Sequence, residues 1–489
     1  MANLNFYTVL PLTLLIIWAC VLLIGDLFIP KERKSLTAAL AALGLALTLG
    51  FTLAQMGQED TGFQQMVILD GFSIFMNALL LICGLLGIAL SFGYIKRFNM
   101  ERGEYYTLML FSIAGMMLMA QAGDLIVVFL ALELLSIPLY VLAAFDRPRA
   151  ESEEAGLKYF LLGAFATGFI VYGTALVFGA AGTTSLSGIV AFVGQSGAIG
   201  PSGASGGGML LTIGAALILV GLGFKIAAVP FHMWTPDVYE GSPTSVTAFM
   251  AAGAKIAGFA ALLRVFATAF PSIAADMTGV LWVVSAATMI IGNLIAISQT
   301  NIKRLLAYSS IAHAGYILMA FVPYGNPDIA KQSVAAGLFY LVAYALTNFG
   351  TWGVVIALER AEGRGLEIKD YAGLGRKYPA LAAAMTIFML SLIGLPPTLG
   401  LVGKFYLFSS VIAGGFYGLA VIGVLTSLVS AYYYLRVVVT MYMQEGEPQR
   451  SKESWLDLTT AFTAIATVLI SFVPQYLFAW ASSAVLKLF

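Results

Sequence analysis

The stretch of residues Gly221 to Thr244 reads GLGFKIAAVPFHMWTPDVYEGSPT. It is long and apolar enough to cross a bilayer as a helix, yet it contains Lys225 and is interrupted by Pro230 and Pro236. Proline removes a backbone donor and clashes with the preceding turn, so carbonyl groups are left without partners. Such a break survives at membrane depth only where it is buried in protein or lines a wet cavity. The sequence therefore predicts a broken transmembrane helix beside a lysine.

A second stretch of the same kind is SLIGLPPTLGLVGKFY, residues 391–406, in which Pro396 and Pro397 are followed by Lys404. Paired breaks in the two halves of a transporter-like chain indicate a translocation site. The two sites are not equivalent by simple superposition, because Lys225 precedes its proline and Lys404 follows its own.

The composition agrees with a membrane location. Of 489 residues, 60% are hydrophobic and only 10% are charged, whereas soluble domains are about 25% charged. The 25 basic residues balance the 25 acidic ones, which argues against a nucleic-acid-binding protein. Cys20 and Cys83 both lie in apolar runs, and His232 and His313 are the only histidines, so we expect neither a disulfide scaffold nor a metal site.

Fourteen segments are long and apolar enough to span a bilayer of about 30 Å. They lie near residues 8–29, 36–56, 72–95, 105–121, 124–145, 156–180, 208–240, 243–268, 277–298, 301–322, 332–360, 379–409, 416–443 and 457–486. The predicted fold class is an all-α polytopic membrane protein. We expect these segments to contact the lipid bilayer, which is thus one partner of the protein.

The basic residues are distributed unequally between the connections. Seventeen of the 25 lie in the connections after odd-numbered spans, whereas the other side holds only Lys331 and Lys487. By the positive-inside rule the first side is cytoplasmic, and both termini face outward.

The remaining six basic residues fall within the predicted spans: Lys158, Lys225, Lys255, Arg264, Lys404 and Arg436. Glu133, in ALELLSIPLY, is the one acid deep in an apolar segment. An ionisable group inside the membrane is costly, so it indicates a functional site that faces the protein interior. Arg264 and Arg436 lie nearer helix ends, where we expect them to reach the interface or form structural pairs.

A buried lysine next to a movable carboxylate can act as a proton switch. Burial disfavours the charged amine and a nearby carboxylate favours it, so moving the carboxylate changes whether the lysine holds its proton. Glu133 is the candidate carboxylate, and Lys158, one span later, is its nearest partner by chain order. A packing role for a single Lys–Glu pair is the alternative, but four lysines and one acid favour transport.

Three further residues have open roles. His313, in SSIAHAGY, either takes part in a proton relay or bonds a helix carbonyl. His232, in the broken segment, is slightly favoured as a structural residue. Lys303 is most simply a positive-inside anchor, although it lies close enough to a span to join a relay.

The stretches quoted above, together with ISQTNIKRLLAYSSIAHAGY at 297–316 and GLPPTLGLVGKFYLF at 394–408, resemble the antiporter-like membrane subunits of respiratory complex I. Among these, the N-type branch of the bacterial proton-translocating NADH–quinone oxidoreductases is most similar. The resemblance covers the whole chain. It implies two inverted five-helix repeats with broken helices 7 and 12, so that the chain divides into 1–104, 105–270, 271–443 and 444–489.

The resemblance also implies a proton path through a line of charged groups at mid-membrane. By this resemblance Glu133 is the modulating carboxylate, Lys158 an accessory lysine and Lys225 the central lysine. Lys255 is then the connecting lysine and Lys404 the terminal one.

No cysteine array for an iron–sulfur cluster and no dinucleotide-binding glycine motif is present in the sequence. NADH, flavin, iron–sulfur clusters and quinone are therefore expected in partner subunits, and none of these cofactors in this chain. The resemblance implies neighbouring antiporter-like subunits as partners and the bacterial inner membrane as the location. The alternatives are a subunit of a multi-subunit sodium/proton antiporter and a non-conducting scaffold.

Overall fold

A computed structural model describes residues 4–30, 33–147, 149–196, 206–270, 274–360 and 363–484. Within these ranges the chain is helical apart from one antiparallel hairpin and the connections. The hairpin pairs β1 (Asp60–Gly62) with β2 (Val67–Leu69) and lies between the second and third spans. The sequence did not predict it.

The helices follow one another through the chain with short connections. Those of the first half are α1 (Leu10–Asp26), α2 (Ser35–Ala54), α3 (Gly71–Arg97), α4 (Glu104–Gln121), α5 (Leu125–Ala143), α6 (Ala150–Ala181), α7 (Leu186–Ser196), α8 (Gly206–Lys225), α9 (Trp234–Gly241), α10 (Thr244–Phe249) and α11 (Lys255–Ala269). Those of the second half are α12 (Ala274–Ile297), α13 (Ile302–Met319), α14 (Pro327–Leu358), α15 (Leu374–Lys377), α16 (Pro379–Ile393), α17 (Leu399–Ala413), α18 (Tyr417–Met443), α19 (Ser454–Phe472) and α20 (Pro474–Ser483). Single-turn 3₁₀ helices lie at Phe6–Val9, Val322–Gly325 and Ile368–Tyr371.

The predicted all-α polytopic class is confirmed. Twelve helices in the described part of the chain are long and apolar enough to cross a membrane. Helix α4 and the shorter pair α16 and α17 occupy the two remaining predicted spans. The helix α7, in the link between the sixth and seventh spans, was not predicted.

Both predicted helix breaks are present. The seventh span separates into α8 and α9 around Pro230, and the twelfth into α16 and α17 around Pro396 and Pro397. Pro236 was wrongly taken as part of the first break. It is the third residue of α9, in the first turn of a helix, where the missing N–H has no helical partner to lose.

The eighth span is one continuous rod with an irregular middle. Helices α10 and α11 join through the π-helical turn Met250–Ala254, which ends immediately before Lys255. Such π turns inside helices are frequent at functional sites. Nothing in the sequence pattern predicted this one.

Burial separates a core from a surrounding layer of helices. The span at Thr244–Ala267 is fully buried, and the windows within Ile302–Gly325 and Asp328–Leu358 are 94% buried, against 28% for α6. The core helices therefore carry the polar residues, while the outer helices present apolar side chains such as Phe165, which is 68% exposed.

Two arginines of the spans are structural. Arg264 on α11 donates from Nη1 and Nη2 to both carboxylate oxygens of Asp70, at 2.6 and 2.8 Å, and its guanidinium also donates to Ala120 O. Asp70 in turn caps α3 by accepting from Ser73 N at 2.8 Å. Burial alone would raise the pKa of Asp70, but the charge and hydrogen bonds of Arg264 hold this pKa below its usual value.

Arg436, on α18, donates to Ile297 O and to the carbonyl two residues later in the chain.

Candidate proton-transfer site

Lys225 is the last residue of α8 and its amine points to the first half of the chain. Nζ donates to Ser136 Oγ at 2.9 Å and to Tyr159 OH at 3.1 Å, and the side chain is 4% exposed. Only neutral hydroxyl groups therefore bond this amine directly. A lysine held by neutral partners in a buried position is suited to giving up its proton.

The break after α8 places Lys225 under an aromatic cover. Trp234, the first residue of α9, stacks on Tyr159 with centroids 4.6 Å apart and planes 9° apart. Its Nε1 donates at 3.0 Å to Phe224 O, a carbonyl near the end of α8 that also accepts from Ala227 N at 3.0 Å. The backbone of Ala227 within the break has φ of 61°, a left-handed conformation.

Glu133 lies on the same face of α5 as Ser136 and Tyr140, because residues three and seven positions apart share a helix face. Its Oε1 accepts from Thr167 Oγ1 of α6 at 2.8 Å. The carboxylate and Lys225 are close enough to interact electrostatically, although no hydrogen bond joins them. The structure thus brings Glu133 to Lys225.

The expected pairing of Glu133 with Lys158 is wrong. Lys158 Nζ bonds Glu154 Oε1 at 2.7 Å and Asp237 Oδ2 at 2.8 Å, and its side chain is 40% exposed. The error arose because Lys158 lies in the third turn of α6, near the N-terminus of this 32-residue helix and not at its middle. Chain order alone could not give that depth.

Lys255 is held by α13 and α14. It is 2% exposed and donates from Nζ to both the backbone carbonyl and the hydroxyl of Ser310. Tyr344 OH on α14 donates to the same hydroxyl at 2.9 Å, and Lys255 Nζ lies 5.6 Å from the centre of the Tyr344 ring. Lys255 and Lys225 lie on packed helices, because Gly258, one turn after Lys255, faces the Lys225 stem.

His313 sits between two tyrosines on neighbouring helices. Nδ1 is 2.8 Å from Tyr340 OH on α14, and Nε2 is 3.2 Å from Tyr434 OH on α18. Both ring nitrogens thus have hydroxyl partners that donate or accept, as a relay group requires. His313 also interacts electrostatically with both Lys255 and Lys404, which places it between them.

Lys404 fills the second helix break. Its Nζ donates to Leu392 O at 3.0 Å and to Ile393 O at 2.8 Å, the carbonyls at the end of α16, and to Ser427 Oγ at 2.7 Å. The amine also lies 4.5 Å from the centre of the Tyr316 ring. Because the lysine follows the prolines, its side chain can return across the break and satisfy the carbonyls that the prolines free.

The two residues with open roles at the end of the bundle differ in burial. Lys303 is fully buried and donates from Nζ to Ser242 O at 2.7 Å, so it is not an exposed membrane anchor. His232 is half-buried, and its Nδ1 has no hydrogen-bond partner among the described residues. The ring also interacts with the backbone of Pro230 in the break, so its role stays open.

Sequence reasoning missed the hydroxyl partners and one acid. Glu359 is 1% exposed although it lies one residue beyond α14. The tyrosines that contact the relay residues were not identified from the sequence. Their helical spacing could have identified them, since Tyr340 and Tyr344 are four residues apart on a span with little else that ionises.

No group of His, Cys, Asp and Glu side chains suited to hold a metal ion occurs in the described ranges. The arrangement is a row of buried amines, one imidazole and their hydroxyl partners. Such groups exchange protons and need no bound cofactor to do so.

Comparison with known proteins agrees with this geometry. Residues 122–430 match the family model described as NADH:quinone oxidoreductase/Mrp antiporter, TM. NADH-quinone oxidoreductase subunit N of Trichlorobacter lovleyi is 44% identical over 489 residues, which cover 99% of this chain and 97% of that protein. The chain belongs to the NADH-quinone oxidoreductase subunit N family.

Solved structures agree with the subunit N assignment. A chain of respiratory complex I from Thermus thermophilus is 36% identical, with a TM-score of 0.81, covering 96% of this chain and 99% of that one. A chain of the Mrp complex from Dietzia sp. DQ12-45-1b has a TM-score of 0.84 at 20% identity, covering 99% and 97%. At that identity the second match shows a shared fold alone. The resemblance to the antiporter-like membrane subunits of complex I, predicted from the sequence, is confirmed.

Proposed function

We propose that this subunit N family member is a proton-translocating membrane-arm subunit of an NADH:quinone oxidoreductase. Its relay runs from Lys225 through Lys255 and His313 to Lys404, and Glu133 controls the charge of Lys225. Other membrane-arm subunits, including neighbouring antiporter-like subunits, are its partners. NADH, flavin, iron–sulfur clusters and quinone belong to partner subunits. The complex works in the bacterial inner membrane, and both termini of the chain face outward.

The observation that carries the proposal is the burial of three lysines in one connected core. Their exposed fractions are 2–4%, and each amine has hydroxyl or carbonyl partners but no directly bonded carboxylate among the described residues. A membrane protein keeps such costly groups where protons or ions pass. A scaffold has no need of them.

The mechanism begins with a change in a partner subunit that moves Glu133 relative to Lys225. When the carboxylate withdraws, Lys225 loses a favourable charge interaction and releases its proton toward α11. Lys255 takes up the proton and Ser310 and Tyr344 hold its amine. His313 passes the proton to Lys404, and the Ser427 hydroxyl lies where the proton leaves.

The test uses the assembled complex in inverted membrane vesicles, with NADH as the substrate. Lys225→Ala and Glu133→Gln should each lower NADH-driven proton uptake, and Lys225→Ala should stop most of it. The matched control is Lys34→Ala, a lysine that pairs with Asp26 outside the relay. Full proton uptake by a Lys225→Ala complex of normal subunit content contradicts the proposal.

The alternative of a sodium/proton antiporter subunit makes a different prediction. Purification of the tagged chain should recover redox subunits if it belongs to an oxidoreductase, and only antiporter subunits otherwise. Proton uptake that depends on NADH but not on sodium supports the oxidoreductase.

A further inference from the structure

A second set of buried ionisable groups lies where the two halves of the chain meet, at the end that the positive-inside rule assigns to the cytoplasm. Lys303, at the start of α13, is fully buried, and Glu359, just beyond α14, is 1% exposed. They interact electrostatically without a direct hydrogen bond. The relay described above uses neither of them.

The surroundings of this pair are polar and incompletely bonded. Glu359 Oε2, the Tyr371 hydroxyl and the Ser242 hydroxyl are all buried and have no hydrogen-bond partner among the described residues. Glu359 Oε1 accepts only a long bond, 3.4 Å, from Tyr94 OH. Buried polar atoms without protein partners are normally bonded by ordered water, so this cluster can admit water.

The charges around Lys303 come from several elements. Besides Glu359, they are Glu240 at the end of α9 and the pair Asp146 and Arg149 in the connection between α5 and α6. Arg304 bonds Glu240 Oε2 at 2.7 Å, and Arg149 lies 4.0 Å from Asp146, so both of these acids have arginine partners. Glu359 is the carboxylate that faces Lys303 without a basic side chain bonded to it among the described residues.

Helix α13 connects this cluster to the relay. Lys303 and Ser310 are seven residues apart and share a helix face, separated by about 10.5 Å along the axis. Ser310 is the partner of Lys255. Tyr239, on α9 three residues before Ser242, also interacts with Ser310.

Helix α14 presents a matching polar face toward the same region. Tyr340, Tyr344, Asn348 and Glu359 lie within about 100° of one another around the helix at 3.6 residues per turn. Asn348 Nδ2 donates to Ala248 O at 3.3 Å, on α10. The face of α14 that carries Tyr340, Tyr344 and Asn348 beside the relay thus ends at Glu359, as the face of α13 that carries Ser310 begins at Lys303.

We propose that Glu359 takes up protons from the cytoplasmic side and delivers them to Lys303, from which they pass along α13 to reload the Lys225–Lys255 step of the relay. The carboxylate accepts a proton from water and becomes a carboxylic acid. It then gives that proton to the neutral amine of Lys303, so that the carboxylate and an ammonium group result and no electrons move. This inference rests on the proposed function.

The test compares Glu359→Gln with Glu453→Gln in inverted vesicles, whose cytoplasmic face is exposed to the medium. Glu453 is the matched control because it is a partly buried acid at the same end, 3.3 Å from Arg97. At mildly alkaline pH we expect Glu359→Gln to lower the rate of proton uptake per complex about tenfold or more, since positioned proton-transfer groups contribute about 10²–10⁴-fold. Glu453→Gln should stay near the wild-type rate.

The pH dependence separates proton uptake from a structural role. Lowering the pH of the medium should narrow the gap between Glu359→Gln and wild type, because protons from bulk water then replace the missing acid. A deficit that is equal at every pH, or no deficit, overturns the inference. Glu359→Asp should give an intermediate rate with the same pH trend, and this variant decides the question if Glu359→Gln lowers the content of the complex.

Lys225→Ala, measured in parallel, separates the two proposals. If it abolishes uptake while Glu359→Gln has no effect, only the uptake role of Glu359 fails. If Lys225→Ala leaves uptake intact, the relay itself fails.

Discussion

Lys158 on α6 bonds Asp237 on α9, with 2.8 Å between Nζ and Oδ2. The other oxygen of the same carboxylate accepts from Arg304 Nη1 of α13 at 3.0 Å. Asp237 thus joins the first half of the chain to the second through the short helix that follows the break. The pair holds α9 in place and lies apart from the buried amines.

Lys158→Ala should therefore have little effect on proton uptake. Both side chains of the pair are 40% exposed, and exposed pairs contribute about 0–1 kcal/mol to stability. Arg304 remains on both Asp237 and Glu240 in the variant, so α9 keeps its ion pairs to α13. We expect uptake within about twofold of wild type, because an exposed pair of this energy shifts an equilibrium only slightly. A loss as large as that of Lys225→Ala would return Lys158 to the relay.

Thr167 provides a way to test the position of Glu133 without changing its charge. Thr167→Val removes the hydroxyl that holds Oε1 at 2.8 Å, so the carboxylate is free to choose another rotamer. The net contribution of a hydrogen bond to a charged acceptor is about 1.5–3 kcal/mol, or about tenfold to a hundredfold in a conformational equilibrium. We expect a smaller loss of proton uptake than in Glu133→Gln, measured in the same vesicles. Thr174→Val, on the same helix without a hydrogen-bond partner among the described residues, is the control.

The sequence was sufficient for the spans and the breaks because both depend on local properties. Hydropathy sets the length of a span, and proline next to lysine marks a break, so Pro230 and the pair Pro396 and Pro397 were found without any tertiary information. Pro236 was misassigned because proline in a first helical turn and proline in a helix interior look alike in sequence.

Partners and depth depend on tertiary packing and could not be predicted. Lys158 and Lys225 both appeared to lie within spans, yet one is 40% exposed and the other is 4% exposed. Lys303 adjoins Arg304, and a charged doublet normally marks a surface, yet packing buries Lys303 completely. Glu359 escaped notice because it stands at the boundary of an apolar segment, where hydropathy cannot separate buried from exposed.

The structural arginine on α11 gives a prediction about stability. Asp70→Asn leaves Arg264, 2% exposed, without its anionic partner. Leaving one charge of a buried pair unpaired costs about 3–5 kcal/mol. The variant should therefore lower the temperature at which this subunit is lost from the solubilised complex. Asp60→Asn, at the exposed first residue of β1, should leave that temperature unchanged.

The pH dependence of the same pair has a definite sign. The pKa of Asp70 in the folded chain lies below its usual value of 3.8, so the contribution of the pair is present above that value. It is lost as the pH falls through the lower, folded-state pKa. Between neutral pH and about pH 5 the difference in stability between wild type and Asp70→Asn should hence stay constant. A difference that shrinks over that interval would show that Asp70 is not held in its ionised form by Arg264.

The variant Ser310→Ala tests whether the Ser310 hydroxyl only holds the Lys255 amine or also takes part in proton transfer. In Ser310→Ala the amine keeps its bond to the backbone carbonyl of residue 310 but loses the hydroxyl that Tyr344 also contacts. We expect the stability to fall by only about 1 kcal/mol, the usual net value of one hydrogen bond, because one partner remains. Proton uptake should fall by more than this energy accounts for. Equal, small effects on both measurements would mean that the hydroxyl does no more than hold the amine.

Lys404 is expected both to stabilise the second helix break and to transfer protons. Lys404→Met keeps most of the side-chain volume but leaves Leu392 O without its donor. Ile393 O loses the amine and keeps the bond from Ser427 Oγ at 2.8 Å. Each unpaired buried acceptor costs about 1–3 kcal/mol, so the subunit should be less stable as well as inactive in proton uptake. Ser427→Ala removes the third partner of the amine and one of the two donors to Ile393 O. Because the amine still pairs both carbonyls, this variant should lower uptake while the content of the complex stays normal. If Lys404→Met assembles as stably as wild type, the carbonyls at the break have other partners and the lysine is not what makes the break tolerable.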